Sequence, residues 1–474
     1  MGNPKAFMTI DRKDAGYRPV KERIYDYGEV EQTLDDKDRI DQAARCMDCG
    51  VPFCHWGCPV GSKIPEWQHL VYQGRWGEAY EVLHSTNSFP EITGRICPAP
   101  CEKSCVLEIH KEAVTIRENE CSTVEHAFDL GYILPRIPQQ RTGKKVAVIG
   151  SGPAGLSAAD LLNQAGHSVT VFEKNSAVGG LLRFGIPDFK LNKSVIDRRI
   201  NIFEAEGLAF RTNVNVGIDV TREELLKEFD AIVLANGAEQ ARDLPVEGRE
   251  LKGVHFAMEF LSQQNKVIAG EYIPDGERIS AEGKNVLVIG GGDTGSDCVG
   301  TSIRQKAKSV LQIEIMPKPS VDRESNNPWP YWPTVLRTSS SHLEGCERRW
   351  GLSTKRLIGE NGVLKHAEII RVEWSKDANG RWMMNEVEGS NEIIDVELVL
   401  LSMGFTQPVH NGLLDALGID YDARGNVKVN TKKQTSVANI FAAGDVESGA
   451  SLVVRAIEAG KVAARNVNEY LFEK

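Results

Sequence analysis

Two glycine-rich turns, each set between an apolar strand and a helix, restrict what this chain can fold into more than any other feature. Gly150-Ser151-Gly152-Pro153-Ala154-Gly155 follows Val146-Ala147-Val148-Ile149, and Gly290-Gly291-Gly292-Asp293-Thr294-Gly295 follows Val286 to Ile289. Both strands are continuously apolar, the pattern of a parallel sheet covered on both faces. Behind the first turn the sequence predicts a helix from about Gly155 to Ala165 and a strand from Ser168 to Glu173. The arrangement recurs over Asn285 to Glu314, an internal repeat of a βαβ unit. Asn439 to Asp445 reads as a further strand, with a helix from about Val453 to Tyr470. The economical arrangement is α/β, with the second unit inserted into the first and the terminal strand and helix returning to complete it. The expected domains are a helical one over residues 1–140, an α/β domain from 141–252 and 400–474, and an inserted α/β domain over 253–399.

The first turn has the form of a Rossmann-like dinucleotide site. Gly150 permits the tight turn, Gly152 lets a pyrophosphate approach the backbone, and Gly155 lets helix and strand pack closely. Ser151, Pro153 and Ala154 complete the cradle, and the free N–H groups of the helix N-terminus favour the phosphate charge. Glu173 is placed to accept from ribose hydroxyls. Gly179-Gly180-Leu181-Leu182 and Gly185-Ile186-Pro187 follow the ribose strand, as in flavoproteins with two dinucleotide sites, so the expected ligand is FAD. Gly444-Asp445 would contact the ribityl and phosphate side. The terminal helix, entered at Ser451-Leu452-Val453, would point at the isoalloxazine, and the turn containing Gly237 would close the domain.

The second turn is then the nicotinamide nucleotide site, through Gly290, Gly292, Asp293, Thr294 and Gly295. Superposing the repeats puts Ser309 on Ser168 and Glu314 on Glu173. An acidic group at that strand end accepts from a ribose 2′-hydroxyl and repels a 2′-phosphate, which favours NADH over NADPH. No arginine pair follows Glu314; Lys318 and Arg323 are the nearest groups able to hold a phosphate. Arg95, Arg183, Lys190, Arg198 and Arg455 are further candidates for phosphate contacts.

Eight of the ten cysteines lie between Cys46 and Cys121. The run Cys46-x₂-Cys49-x₄-Cys54-x₃-Cys58-Pro59 is followed by Cys97-x₃-Cys101-x₃-Cys105, among helix-like stretches such as Pro65 to Leu83. Seven thiols exceed one tetrahedral zinc. Two zinc sites remain an alternative, but the Cys-Pro ending and the flavin favour iron–sulfur clusters. Two [4Fe–4S] clusters need an eighth ligand, for which Glu120 and Cys121 are candidates. Cys298 and Cys346 stand alone and read as ordinary packing residues. Pro135 to Arg141 reads as a linker.

Composition excludes rather than assigns. A net charge of −10 argues against a general nucleic-acid binder. The apolar runs are strand-length, far short of a bilayer span. The N-terminal Met1 to Ala6 has no apolar leader, and Ala6 breaks the myristoylation pattern, so a cytoplasmic location is expected.

Ala44-Arg45-Cys46-Met47-Asp48-Cys49-Gly50, Gly94-Arg95-Ile96-Cys97-Pro98, Gly185 to Leu191 and Gly290 to Cys298 together resemble the small (β) subunit of glutamate synthase over nearly the whole length. Asn327-Pro328-Trp329-Pro330-x-Trp332-Pro333 resembles its NADH-linked, eukaryotic-type form. Dihydropyrimidine dehydrogenase and a ferredoxin:NADP transhydrogenase share the module and would be its alternative settings. The resemblance implies interleaved ligation, with Cys46, Cys49, Cys54 and Cys105 on one cluster and Cys58, Cys97, Cys101 and a non-thiol ligand on the other. In the related dehydrogenase that ligand is a glutamine after an Ala-x-x-Ile segment; here Ala113 to Ile116 leads to Glu120, which is favoured over Cys121. The resemblance further implies that electrons from NAD(P)H pass through FAD and the clusters to a large, FMN-containing subunit. That partner makes glutamate from glutamine and 2-oxoglutarate, so a hetero-oligomer is expected. No N-terminal cysteine nucleophile for glutamine hydrolysis is present here, and no protein acid or base is needed for hydride transfer. Nothing carries over to Arg337 to Trp350, where the chain departs from the pattern.

Overall fold

The computed structural model describes residues 3–473; Met1 and Gly2 of the N-terminal reading, and Lys474, lie outside them. Residues up to Asp129 form short helices, among them Asp36–Ala44, Ile64–Tyr72, Trp76–His84, Pro90–Ile96 and Ile116–Asp129. The amphipathic stretch expected over Pro65 to Leu83 is two helices, because Gly74 between them takes φ +70° and turns the chain back. Trp67, Val71, Ala79 and Leu83 from this pair bury against Val114 and Ile116.

Beyond the linker, five parallel strands form the first sheet in the order Ile440–Ala442, Ala231–Leu234, Lys145–Ile149, Ser168–Phe172, Ala209–Arg211. The C-terminal strand thus closes the sheet begun near residue 145, as a return of the chain requires. Val146 and Val148 pack under the helices Pro153–Gln164 and Val453–Phe472 on one face, while Ala147 and Ile149 face Leu225, Leu414 and Leu417 on the other.

The second sheet is also parallel, in the order Val254–Phe256, Leu398–Leu401, Asn285–Ile289, Ser309–Glu314, Glu347–Trp350. Lys145 pairs with Ser168 and Asn285 with Ser309, so the two repeats share one register. Leu398–Leu401 straddles the boundary drawn at 399/400. All four residues pair with Val286 to Ile289, so the crossing back to the first domain comes after Leu401. There Phe405–Gln407 pairs antiparallel with Gln240–Ala241, joining the outgoing and returning segments.

Among the described residues, helices cover one face of the second sheet, Ala257–Ile268 and Asp293–Arg304 over Val286 and Val288. Its other face, Leu287 and Ile289, is covered by an antiparallel sheet of Leu352–Glu360, Val363–Lys376, Trp382–Glu386 and Glu392–Asp395.

A buried ionic node ties the N-terminal segment to the inserted domain. Glu344 accepts from Arg23 Nε at 2.7 Å and from Arg304 Nη1 at 2.6 Å, with both side chains of the second pair fully enclosed. Glu344→Ala leaves two buried cations without a counter-ion, an expected loss of about 3–5 kcal/mol. The midpoint of denaturant unfolding should fall accordingly, while Glu78→Ala, in an exposed pair with Arg75, should leave it in place.

Candidate functional site

At the first turn Gly150 has φ +101°, and a Cβ there would lie 2.5 Å from the Ala235 carbonyl oxygen. Gly155 is pressed still closer: its Cβ would be 2.0 Å from the Gly150 oxygen. Gly152, at the N-terminus of Pro153–Gln164, has nothing within 4 Å of a Cβ, so this glycine faces open space. Gly180 borders that space, since its Cβ would stand 2.9 Å from Gly152 Cα. Leu181 follows at the start of a short helix. The turn is therefore tight on the side of the sheet and open on the side where a pyrophosphate would approach.

Glu173 is buried and already organised by its neighbours. It accepts from Ser151 Oγ, and from Asn175 through the backbone N at 2.9 Å and Nδ2 at 2.7 Å. Ser151 Oγ in turn accepts from Gly179 N at 2.9 Å, which fastens the Gly179-Gly180 loop to the turn. Sequence reasoning misses Asn175; a short amide two residues after the strand-end acid is its only signal.

The C-terminal elements meet the same turn. A Cβ on Gly444 would touch Ala154 Cβ at 2.7 Å, and one on Gly460 would lie 2.2 Å from the Ala154 oxygen. Asp445 accepts from Ser451 Oγ at 2.9 Å, and burial pushes its carboxyl up to about 6. Leu452 and Val453 then open the terminal helix. Asn236, between Gly150 and Gly237, has a buried Oδ1 with no hydrogen-bond partner. An open phosphate cradle, an organised ribose acid and an unpaired acceptor fit a bound dinucleotide, FAD when the site is filled.

The second turn repeats this construction. A Cβ on Gly290 would fall 2.3 Å from the Ser402 oxygen, and one on Gly295 would fall 2.3 Å from the Gly290 oxygen. Gln312 Nε2 donates to the Gly290 carbonyl at 2.8 Å, and His342 Nε2 lies 2.8 Å from Gln312 Oε1. Gly292 is open like Gly152, and Asp293 and Thr294 begin the helix Asp293–Arg304. Glu314 lies against Gly291, with Arg348 at 3.7 Å.

Most basic residues suggested for phosphates are otherwise engaged. Lys190 pairs with Asp297, Arg183 with Asp197, Arg198 with Glu125, and Arg95 with Glu29 and Glu125. Arg323 donates to the Tyr331 carbonyl, whereas Arg455 is exposed on the first turn of the terminal helix.

The clustered cysteines separate into two sets. A small cavity is lined by Cys46, Cys49, Cys54 and Cys105. Electrostatics draws the same division: Cys105 acts on Cys46, Cys49 and Cys54, whereas Cys58 and Cys97 act on Cys101, and Glu120 acts on all three of the latter. Burial pushes the thiols up, Cys58 to about 11 and Cys46 and Cys97 to about 12. Such sites disfavour bare thiolates and suit thiolates bound to a cationic centre. Among the described residues no three donors converge on a point for a single ion; a four-iron cluster takes its ligands around a volume instead.

Glu120 is half-buried, raised to about 7 chiefly by desolvation, and held by Thr93 Oγ1 and by Asn87 Nδ2 at 3.0 Å. Cys121 has other neighbours. Its backbone packs on Gly94, and its electrostatic neighbours are Arg95, Glu125 and Arg117. Cys298 is enclosed in the core of the inserted domain, with Cys346 packed against it. Asn327 to Pro333 folds back over the cysteine region: Trp329 donates to the Cys105 carbonyl at 3.2 Å, and its ring lies 4.7 Å from that of Phe53.

Comparison with known proteins agrees with this division. Residues 144–460 match the pyridine nucleotide-disulphide oxidoreductase family, and residues 23–131 match domain II of dihydropyrimidine dehydrogenase, a 4Fe-4S cluster domain. The latter sets aside the zinc alternative. The glutamate synthase [NADPH] small chain of Mycobacterium tuberculosis is 48% identical over 99% of this chain and 96% of its own length. The Bacillus subtilis glutamate synthase [NADPH] small chain is 44% identical over 99% of each. Glutamate synthase [NADH] of Schizosaccharomyces pombe is 45% identical over 98% of this chain, which spans 22% of that protein. Among solved structures, FprA of M. tuberculosis in complex with NADPH shares the fold, with a TM-score of 0.56 at 19% identity, over 70% of this chain and 85% of its own. With its helical 4Fe-4S domain, two dinucleotide-binding units and near full-length likeness, the chain belongs to the glutamate synthase small-chain family of flavin- and iron–sulfur-dependent NAD(P)H oxidoreductases.

Proposed function

We propose that the chain takes reducing equivalents from NADH at Gly290 to Gly295 and delivers them to a large, FMN-containing subunit that makes glutamate from glutamine and 2-oxoglutarate. The observation that carries this reading is the order of the donor sets. Cys58 and Cys97 pack against the core of the first dinucleotide domain, Cys58 against the helical core as well, while Cys46 and Cys54 pack against the helical core alone. When bound, FAD supplies two-electron acceptance from the nicotinamide, and the clusters supply one-electron transfer away from it.

The chain's own residues bind and orient. Gly150, Gly152 and Gly155 with Ser151 and Glu173, beside Gly180 and Leu181, would hold the flavin nucleotide; Asp445 would meet its ribityl and phosphate side, Ser451 to Val453 would point at the isoalloxazine, and the turn with Gly237 would close the domain. Gly290, Gly292, Asp293, Thr294 and Gly295 hold the nicotinamide nucleotide, with Glu314 on the adenosine ribose. Cys46, Cys49, Cys54 and Cys105 hold the outer cluster, and Cys58, Cys97, Cys101 and Glu120 the inner one. The outer set lies near exposed Val51 and Trp56, an exit toward a partner. No described helix is long and apolar enough to cross a membrane.

Reconstitution tests the assignment. The chain alone should oxidise NADH with ferricyanide and form no glutamate. Adding a glutamate synthase large subunit, glutamine and 2-oxoglutarate should couple NADH oxidation to glutamate formation. Ferricyanide reduction with no coupling would keep the oxidoreductase and remove the partner.

A further inference from the structure

The strand Glu347–Trp350 forms the edge of the second sheet, parallel to Ser309–Glu314, with Gln312 beside Arg348 and Glu314 beside Trp350. It places Arg348 and Trp350 beside Glu314, at the strand end that faces the second glycine turn. The Glu314 side chain lies flat on the turn: a Cβ on Gly291 would be 1.7 Å from Glu314 Cδ. Arg348 Nη2 stands 3.7 Å from Glu314 Oε1, and its guanidinium lies 4.9 Å from the Trp350 ring centroid. Lys318 Nζ approaches the same ring at 5.1 Å. Two donors here have no acceptor: Arg348 Nε and Trp350 Nε1 are both buried and unpaired.

Arg348 beside the carboxylate, with Trp350 on the adjoining strand position and Lys318 against its ring, brings three N–H-bearing groups to this strand end, more than a ribose hydroxyl needs. A phosphate monoester, with three acceptor oxygens and close to two negative charges, matches them in number and sign. The carboxylate occupies the ground that such a phosphate would take and carries the charge that repels it.

We propose that Glu314 masks a latent 2′-phosphate site formed by Arg348, Trp350 Nε1 and Lys318, so that the Glu314–Arg348 pair selects the coenzyme. With Glu314 in place, Arg348 is neutralised and the ribose 2′-hydroxyl is the accepted ligand. Without the carboxylate, the same arginine binds a 2′-phosphate. The inference rests on reading Gly290 to Gly295 as the nicotinamide nucleotide turn.

The test is the affinity of the oxidised holoenzyme for NAD⁺ and NADP⁺, measured by calorimetry for wild type, Glu314→Ala, Arg348→Gln and the double variant. Unchanged flavin and iron content shows that each variant is folded. Glu314→Ala should bind NADP⁺ about tenfold or more tighter and NAD⁺ about tenfold weaker, the scale of forming one charge-assisted hydrogen bond and losing another. Adding Arg348→Gln should erase the NADP⁺ gain and leave the NAD⁺ loss unchanged. A gain that survives Arg348→Gln, or no gain while NAD⁺ binding weakens, would overturn the selector and leave the turn assigned. If neither coenzyme responds to any variant, the assignment of the turn itself fails.

Discussion

Glu120→Ala should remove about half of the chain's iron and acid-labile sulfide, one of two clusters, while Cys121→Ala removes none. The two residues are adjacent, yet the helix Ile116–Asp129 sends them to different surroundings. Glu120 shares electrostatic space with Cys58, Cys97 and Cys101, whereas Cys121 shares its own with arginines and carboxylates. Thr93 and Asn87 hold the Glu120 carboxylate in place, the outer-shell support that ligands to metal centres receive. Glu120→Gln keeps an oxygen donor at this position and should keep the iron, which separates lost ligation from general unfolding. Glu120→Ala should still let NADH bleach the flavin, while electron delivery beyond it fails. Iron retained in Glu120→Ala and lost in Cys121→Ala would make the thiol the ligand.

The second large effect contrasts two glycines of one turn. Gly155→Ala drives a Cβ to 2.0 Å from the Gly150 carbonyl oxygen and 3.3 Å from Ala235 Cβ. The backbone oxygen has no rotamer to escape into, so the helix must leave the strand. The cost should reach about 3 kcal/mol, with flavin lost as the domain loosens. Gly152→Ala meets nothing within 4 Å in the protein, so the fold should stand. The new methyl instead occupies the ground where a pyrophosphate meets the backbone. Flavin content should fall at least about tenfold on dilution, with the unfolding midpoint of the flavin-free chain unchanged. Full flavin retention in Gly152→Ala would remove this turn from the cofactor site.

What is legible in the sequence follows from short-range pattern. Each glycine turn announces itself within about ten residues, and the shared offset from Ser168 to Glu173 and from Ser309 to Glu314 places both strand-end acids in equivalent positions without knowledge of the sheets. What is not legible depends on partners distant in sequence. Arg95 reads as a possible phosphate ligand, and nothing local shows that Glu29 will pair with it. Arg348 reaches Glu314 only because its strand pairs alongside, a contact between segments some thirty residues apart. The antiparallel sheet escapes the sequence reading because it covers the other sheet with some strands and is exposed along others, as at Trp382–Glu386. The domain crossing falls two residues beyond its expected place because Leu398–Leu401 is uniformly apolar and fits either sheet.

The central claim is that electrons enter at a flavin reduced by a nicotinamide nucleotide, and anaerobic titration tests it most directly. The purified holoenzyme is mixed with NADH or with NADPH while its visible flavin absorbance is followed. Rapid bleaching by NADH, and much slower bleaching by NADPH, is the predicted result. Bleaching that favours NADPH would contradict the role given to Glu314, and no bleaching by either would contradict the electron-entry account itself.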